Sequence, residues 1–199
     1  MQKRDLEGSR FGLWNAEYDG YEGGRKLYGN DLTTAKMAAE YLAGGSVVEI
    51  EDWGCGYGGF KKFVRDYQQY VGVDGSSTPF ADVVADLTTY RSTPDGLLLR
   101  HVLEHNPKWL DILRNALASF RKRMVIVVFT PFMENTKIVG RYPSWHGSNS
   151  GIDMIDIGFK KYDLTNEFGR DVVWTEETVE TASQYSREHL FYFERPLAE

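Results

Sequence analysis

A single cysteine, Cys55, stands among 199 residues. No intramolecular disulfide can form, and the expected compartment is the reducing cytoplasm. Long apolar runs are missing as well: the longest, Met124 to Phe129, is far short of the roughly 20 residues that span a bilayer. The first 30 residues have no apolar stretch behind their basic start, so a signal peptide is not expected. Nor is there a basic excess. Lys and Arg number 23 against 29 Asp and Glu, a net charge of −6, the wrong sign for gripping a phosphate backbone. Only 6 prolines occur, with no repeat or low-complexity linker to mark a boundary, so residues 1–199 are expected to form one domain. Nucleic-acid, membrane and secreted roles are set aside on these grounds.

Apolar residues make up 42% of the chain and aromatics 14%, enough for a full core and too much for disorder. The first 30 residues hold six glycines and five aromatics, Phe11, Trp14, Tyr18, Tyr21 and Tyr28, without helical or alternating periodicity. They read as an aromatic arm that folds over the rest of the domain. Beyond them, Asp31 to Ala43 is a helix capped by Asn30 or Asp31 and stopped by Gly44-Gly45. Ser46 to Ile50 is a strand, followed by a glycine-rich turn and a helix from Phe60 to about Tyr67. Tyr70 to Val73, Ala81 to Leu87 and Gly96 to Leu99 are further strands. Pro107 opens a helix with Leu110, Leu113, Leu117 and Phe120 on one face and the cations Arg121 to Arg123 at its end. Met124 to Phe129 has the continuous apolar character of a strand buried on both faces of a parallel sheet. Residues 131–160 read as one long substrate-side loop, leading to a short helix at Lys161 to Phe168. Two last strands, Asp171 to Thr175 and Glu188 to Glu194, have no helix between them and are expected to run antiparallel. Alternating strands and helices make a doubly wound, mostly parallel α/β sheet with an antiparallel C-terminal hairpin. Seven residues, Asp74 to Phe80, join the second and third strands, room for at most one helical turn.

In such sheets ligands bind at the carboxyl ends of the strands, where strand order reverses. There the first strand runs into Asp52-Trp53-Gly54-Cys55-Gly56-Tyr57-Gly58-Gly59. Its glycines let the backbone turn tightly against a ligand. By itself G-x-G-x-x-G is a weak nucleotide signal. Asp74, followed by Gly75, ends the next strand about twenty residues on, where a carboxylate can accept both hydroxyls of a ribose. Asp86 and Leu87 end the third strand, and Arg100-His101-Val102-Leu103-Glu104-His105 breaks the fourth into polar residues. A dinucleotide dehydrogenase would share the glycines and Asp74. Asp52, just ahead of the first glycine, would repel its pyrophosphate, whereas a sulfonium and an ammonium suit Asp52 and Glu49.

From Ser46 to Thr130 the sequence resembles the class I S-adenosylmethionine-dependent methyltransferases, through D-x-G-C-G-x-G at Asp52 to Gly58, the G-V-D-G-S loop, the segment around Asp86 and the H-V-L-E-H run. The resemblance implies a seven-stranded sheet with its last strand antiparallel. It implies that Gly54 and Gly56 border the methionine part of S-adenosylmethionine, that Asp74 holds the ribose hydroxyls, that Asp86 and Leu87 meet the adenine, and that Arg100 or His101 lies near the sulfonium methyl; Asp52, Cys55 and Gly75 are expected among the cofactor-binding residues. Two features depart from the family pattern: the short connection after Asp74, and Trp53 where a smaller residue is usual.

The acceptor proton, if there is one, needs a base near the methyl. His101, directly after the fourth strand, and His146, in the long loop, are the candidates; His105 reads as a helix-entry residue touching Asn106 and Pro107, and His189 as structural. Asp153 and Asp156, near His146, invite a metal site, but a solvated loop fits them better and no metal is expected. Trp14, Tyr18, Tyr28, Tyr142, Trp145 and His146 would wall an acceptor pocket. They suit a small organic molecule, and an O-methyltransferase is the expected activity. N-methylation, a protein or glycan acceptor, or a non-catalytic cofactor-binding subunit are the alternatives, and the oligomeric state is left open.

Overall fold

The structure, a computed structural model, describes residues 32–142 and 154–196. Helix α1 (Thr33–Leu42) leads into β1 (Glu49–Trp53), β2 (Gln69–Asp74), β3 (Val83–Val84) and β4 (Gly96–Arg100). Helix α2 (Trp109–Ser119) and β5 (Arg123–Val128) follow, then β6 (Lys137–Tyr142), β7 (Met154–Gly158), the short α3 (Lys161–Thr165), β8 (Val173–Glu180) and β9 (Arg187–Glu194). Seven strands form one sheet in the order β3-β2-β1-β4-β5-β9-β8. The first five are parallel, β9 runs antiparallel to β5, and β8 antiparallel to β9. Residues β6 and β7 form a separate antiparallel pair.

Period-two alternation divides the apolar strands between two cores. Leu98, Val125 and Val127 face α1, whose buried Ala35, Ala38, Ala39 and Leu42 are small enough to let the helix lie close. Leu97, Leu99, Met124, Ile126 and Val128 face the other way, onto Ile112, Leu113 and Ala116 of α2. Both faces of the central strands are therefore covered, as their unbroken apolar runs require.

Several expectations change. The helix expected from Phe60 to Tyr67 is only a 3-10 turn, Lys61–Phe63, because Val64 adopts an extended ψ of 138°. Downstream side chains turn back to α1 instead: the Tyr67 hydroxyl donates to Ala43 O, and Gln68 Nε2 donates to Leu42 O and Val47 O. Leu32, not Asn30 or Asp31, holds the N-cap position of α1. Arg121 and Lys122 lie past α2 and pair with Asp95 rather than with the helix end. The long loop expected over 131–160 contains β6 and β7, and Asp156, expected in a solvated loop, is 1% exposed on β7. The connection from β2 to β3 carries no helix, within the limit its length set.

Candidate functional site

The chain winds from β1 through β2 and β3 to one side, and from β4 through β5 to the other. The reversal falls between β1 and β4, and the loops leaving β1, β2 and β4 meet at that crevice. The β1 loop folds back onto β2: Gly54 N donates to Val73 O at 2.7 Å, and Gly56 N to Asp74 Oδ2 at 2.9 Å. Gly54 has φ of +77°, and a Cβ built there would lie 2.4 Å from Val102 Cγ2. Only glycine lets the loops after β1 and β4 touch in this way.

Asp74 is 7% exposed. Its Oδ1 accepts from Ser76 N at 2.8 Å, and burial pushes its carboxyl up to about 6, against the pull of those amides. Asp52, 3% exposed, accepts from the Tyr70 hydroxyl at 3.0 Å. Burial, reinforced by the charge of Asp74, pushes it up to about 7, while Arg100 opposes. Two desolvated carboxyls thus converge at adjacent strand ends with incomplete compensation by cations, a field that favours a positive ligand. Cys55 is buried, and that burial, followed by the charges of Asp52, Asp74 and Asp82, pushes its thiol well above the usual range. It is not poised as a nucleophile. Asp86 Oδ1 accepts from Thr88 N and Thr88 Oγ1, shaping the turn after β3, and Leu87 is packed in the core with Trp53 and Val73.

At the end of β4, His101 takes a left-handed φ of 57°, a strained conformation for a side-chain-bearing residue. Its Nε2 lies 3.0 Å from Glu188 Oε2 without the alignment of a hydrogen bond. Burial and the neighbouring Arg100 push the imidazole down to about 4, so it is a weak proton acceptor. Glu188, 1% exposed, also accepts from Thr34 Oγ1 and lies 3.7 Å from Arg100 Nη2; it ties α1, β4 and β9 together at the site. Strand parity could have exposed it, since Glu188 shares a face with the fully buried Leu190.

His105, expected at a helix entry, ends the 3-10 turn Leu103–His105 ahead of α2. Its Nδ1 lies 2.9 Å from Ile155 O and 3.3 Å from Asp156 Oδ1. Asp156 Oδ2 accepts from the Tyr185 hydroxyl at 3.0 Å, which lies 3.4 Å from the Tyr142 hydroxyl. Phe129 is the hub: its ring centroid is 4.9 Å from His101, 5.4 Å from His105 and 5.8 Å from Tyr185. Of the expected acceptor wall, only Tyr142 is within this cluster; Trp14, Tyr18, Tyr21, Tyr28, Trp145, His146 and Asp153 lie outside the described residues. Among the described residues, no three His, Cys, Asp or Glu are grouped so as to hold a metal ion.

Solved structures repeat this architecture. The 1,6-didemethyltoxoflavin-N1-methyltransferase of Burkholderia thailandensis, with bound 1,6-didemethyltoxoflavin and S-adenosylhomocysteine, matches with a TM-score of 0.67 at 15% identity, over 92% of this chain and 87% of that one. This chain has the class I methyltransferase fold. The magnesium protoporphyrin IX methyltransferase ChlM of Synechocystis PCC 6803, with bound S-adenosylmethionine, matches at TM-score 0.59 and 15% identity, over 95% and 92% of the two chains. The 4+2 cyclase SpnF matches at 0.60 and 13%, over 94% and 92%. Neither a protein-family model nor a curated protein sequence matches the chain. A fold alone does not choose a reaction.

Proposed function

We propose that the chain is an S-adenosylmethionine-dependent methyltransferase acting on a small organic acceptor, with transfer to oxygen. The observation that carries this is the pair of buried carboxyls without full cationic compensation, Asp52 and Asp74, at the glycine loop of a class I methyltransferase fold. The residues fit the cofactor. Asp74 offers carboxylate lone pairs to the ribose, the backbone around Gly54 and Gly56 comes close with no side chain in the way, and Asp52 faces the positive methionine end. Asp86 is the residue proposed to reach the adenine amine. When bound, the cofactor supplies an activated methyl group; the chain's task is to orient the acceptor and remove its proton. The magnesium protoporphyrin and toxoflavin enzymes among its structural neighbours are named for small-molecule acceptors, which supports the same class here. Leu32 packs near Gly59 and α1 begins at the site, so the aromatic arm and the 143–153 segment are proposed to complete the acceptor wall.

The second reading is a protein that keeps the cofactor site without methylating, favoured by the cyclase among the neighbours. Calorimetry with S-adenosylmethionine, combined with a screen of hydroxylated acceptors for S-adenosylhomocysteine release, separates the two. The wild type is expected to bind and turn over. Asp74→Asn is expected to weaken binding by about 3 kcal/mol or more, the value of two hydrogen bonds to a charged group, with its fold intact by circular dichroism. Unchanged affinity in that variant refutes the ribose assignment, and binding without turnover of any acceptor favours the second reading.

A further inference from the structure

The described residues joining β3 to β4, 85–95, form no helix, so this connection has no ladder of its own to hold its shape. It begins at the site. Ala85 N donates to Asp74 O at 2.8 Å, and Thr89 N and Tyr90 N then donate to Asp86 O, closing a single turn. What fixes that turn comes from elsewhere in the chain. Asn115, on α2, donates from Nδ2 to Leu87 O at 2.7 Å and to Tyr90 O. Both partners are carbonyls, which only accept, so the amide nitrogen must face them. Its Oδ1 is left buried with no hydrogen-bond partner. From the other side Glu51, on β1, accepts from Ser92 Oγ at 2.6 Å, from the Tyr90 hydroxyl at 3.3 Å and from Trp53 Nε1 at 2.6 Å. The Tyr90 ring meets Trp53 edge to face, with 5.5 Å between centroids.

Asn115 is 2% exposed and shares the buried face of α2 with Ile112, Leu113 and Ala116. A side chain kept there for packing alone would be apolar, since a buried amide with an orphaned oxygen costs stability. What the amide provides in return is a fixed turn at the end of β3. Ligands of such sheets lie against the carboxyl ends of the strands, and Asp74, proposed to hold the ribose, is one hydrogen bond from this turn. Resting on the methyltransferase reading above, we infer that Asn115 is a positioning residue for the cofactor: it holds the 86–90 turn as the wall for the adenine, with Glu51 as the second brace, and so governs the base-dependent part of S-adenosylmethionine binding. It acts through the carbonyls of Leu87 and Tyr90. Without their common donor the turn keeps its bonds to Asp86 O but loses its tie to α2.

The probes are S-adenosylhomocysteine and S-ribosylhomocysteine, which keeps the ribose and homocysteine but lacks the base, each titrated calorimetrically into the full chain. The wild type is expected to bind S-adenosylhomocysteine the more tightly. Asn115→Leu, which removes both donors, is expected to weaken S-adenosylhomocysteine about tenfold and S-ribosylhomocysteine by less than about twofold. A purely structural role would weaken both ligands alike or neither, and either result overturns the inference. Asn115→Asp replaces only the amide nitrogen and sets a carboxylate oxygen against two carbonyls. The same selective loss is expected of it, which keeps the test open should Asn115→Leu fail to fold. A third measurement needs no variant: in the wild type, S-adenosylhomocysteine should slow amide hydrogen exchange at Thr89 and Tyr90, and S-ribosylhomocysteine should not. Exchange slowed by both ligands equally, or by neither, overturns the inference. A wild type that binds neither ligand refutes the methyltransferase reading itself, whereas binding of both with selectivity unchanged in the variants leaves that reading standing and removes only the role of Asn115.

Discussion

Asp52 and Asp74 set the pH behaviour of the site. Their carboxyls, held at about 7 and about 6 by burial, are partly protonated near neutrality and must be ionised to hold a cationic ligand. Affinity for S-adenosylmethionine is therefore expected to rise as pH climbs through 6 to 7 and to level off above, by up to about tenfold per pH unit for each proton released. Calorimetry from about pH 5 to about pH 8, repeated in buffers of different ionisation heat, would register those protons; a flat profile would contradict the pairing of these acids with the ligand. The same shifts act on stability. An acid whose folded pKa lies above its unfolded value stabilises the fold fully below that unfolded value, and the contribution fades as pH rises through the folded pKa. The unliganded protein is thus expected to lose this stability between about pH 4 and 7, and the ligand to raise Tm most above that window. Asp52, Asp74 and the glycines were legible in the sequence because they sit next to one another along the chain, at strand ends. Glu188 and Asp156 were not, since each meets its partners only across the sheet: Glu188 is 154 residues from Thr34 and Asp156 is 51 from His105 by number.

The elements that the sequence described well are those whose pattern is local and long. Helix α2 has apolar residues at a helical period, and β4 and β5 are short unbroken apolar runs, rich in β-branched residues in β5, of the length of buried parallel strands. Phe60 to Tyr67 has helical spacing too, but it is short, and helix nucleation is unfavourable. The side chains of Tyr67 and Gln68 instead satisfy carbonyls at the end of α1 and in the turn after it. Strands β6 and β7 are hidden because β6 is largely exposed and the eleven residues between them, rich in Gly and Ser, are too many to mark a tight hairpin turn. The glycine loop, by contrast, was read from spacing and is held by shape. Gly54→Ala places a methyl 2.4 Å from Val102 Cγ2 at a φ of +77°, and a cost of about 1–3 kcal/mol is expected from the backbone alone. Adding Val102→Ala removes the clash but not the backbone strain. Urea unfolding of the double variant should therefore recover only part of the lost stability, and full recovery would show that crowding is the whole effect.

Taken as one body, the molecule closes its site from elements far apart in the chain. Helix α1 near the beginning and β9 near the end meet at the Thr34–Glu188 hydrogen bond, and Arg100 Nε donates to Thr34 Oγ1 at 3.0 Å from the strand between them. Glu188 is the shared acceptor of this group, at 2% side-chain exposure, opposite an Arg100 at 13%. Removing the acid leaves the Arg100 charge largely desolvated and the Thr34 hydroxyl deprived of its acceptor. Breaking a buried pair from one side costs about 3–5 kcal/mol, so Glu188→Ala is expected to fall in that range by chemical denaturation. Glu188→Gln retains an oxygen for Thr34 and should cost less. It also removes the charge that draws a proton to His101, so the imidazole should titrate lower still. If the contact serves only packing, both variants would lose stability alike and bind S-adenosylmethionine as the wild type does. If Glu188 also fixes Arg100 beside Asp52, the glutamine variant binds the ligand more weakly even where its stability is nearly restored, because an Arg100 released toward Asp52 competes with the cation for the same carboxyl.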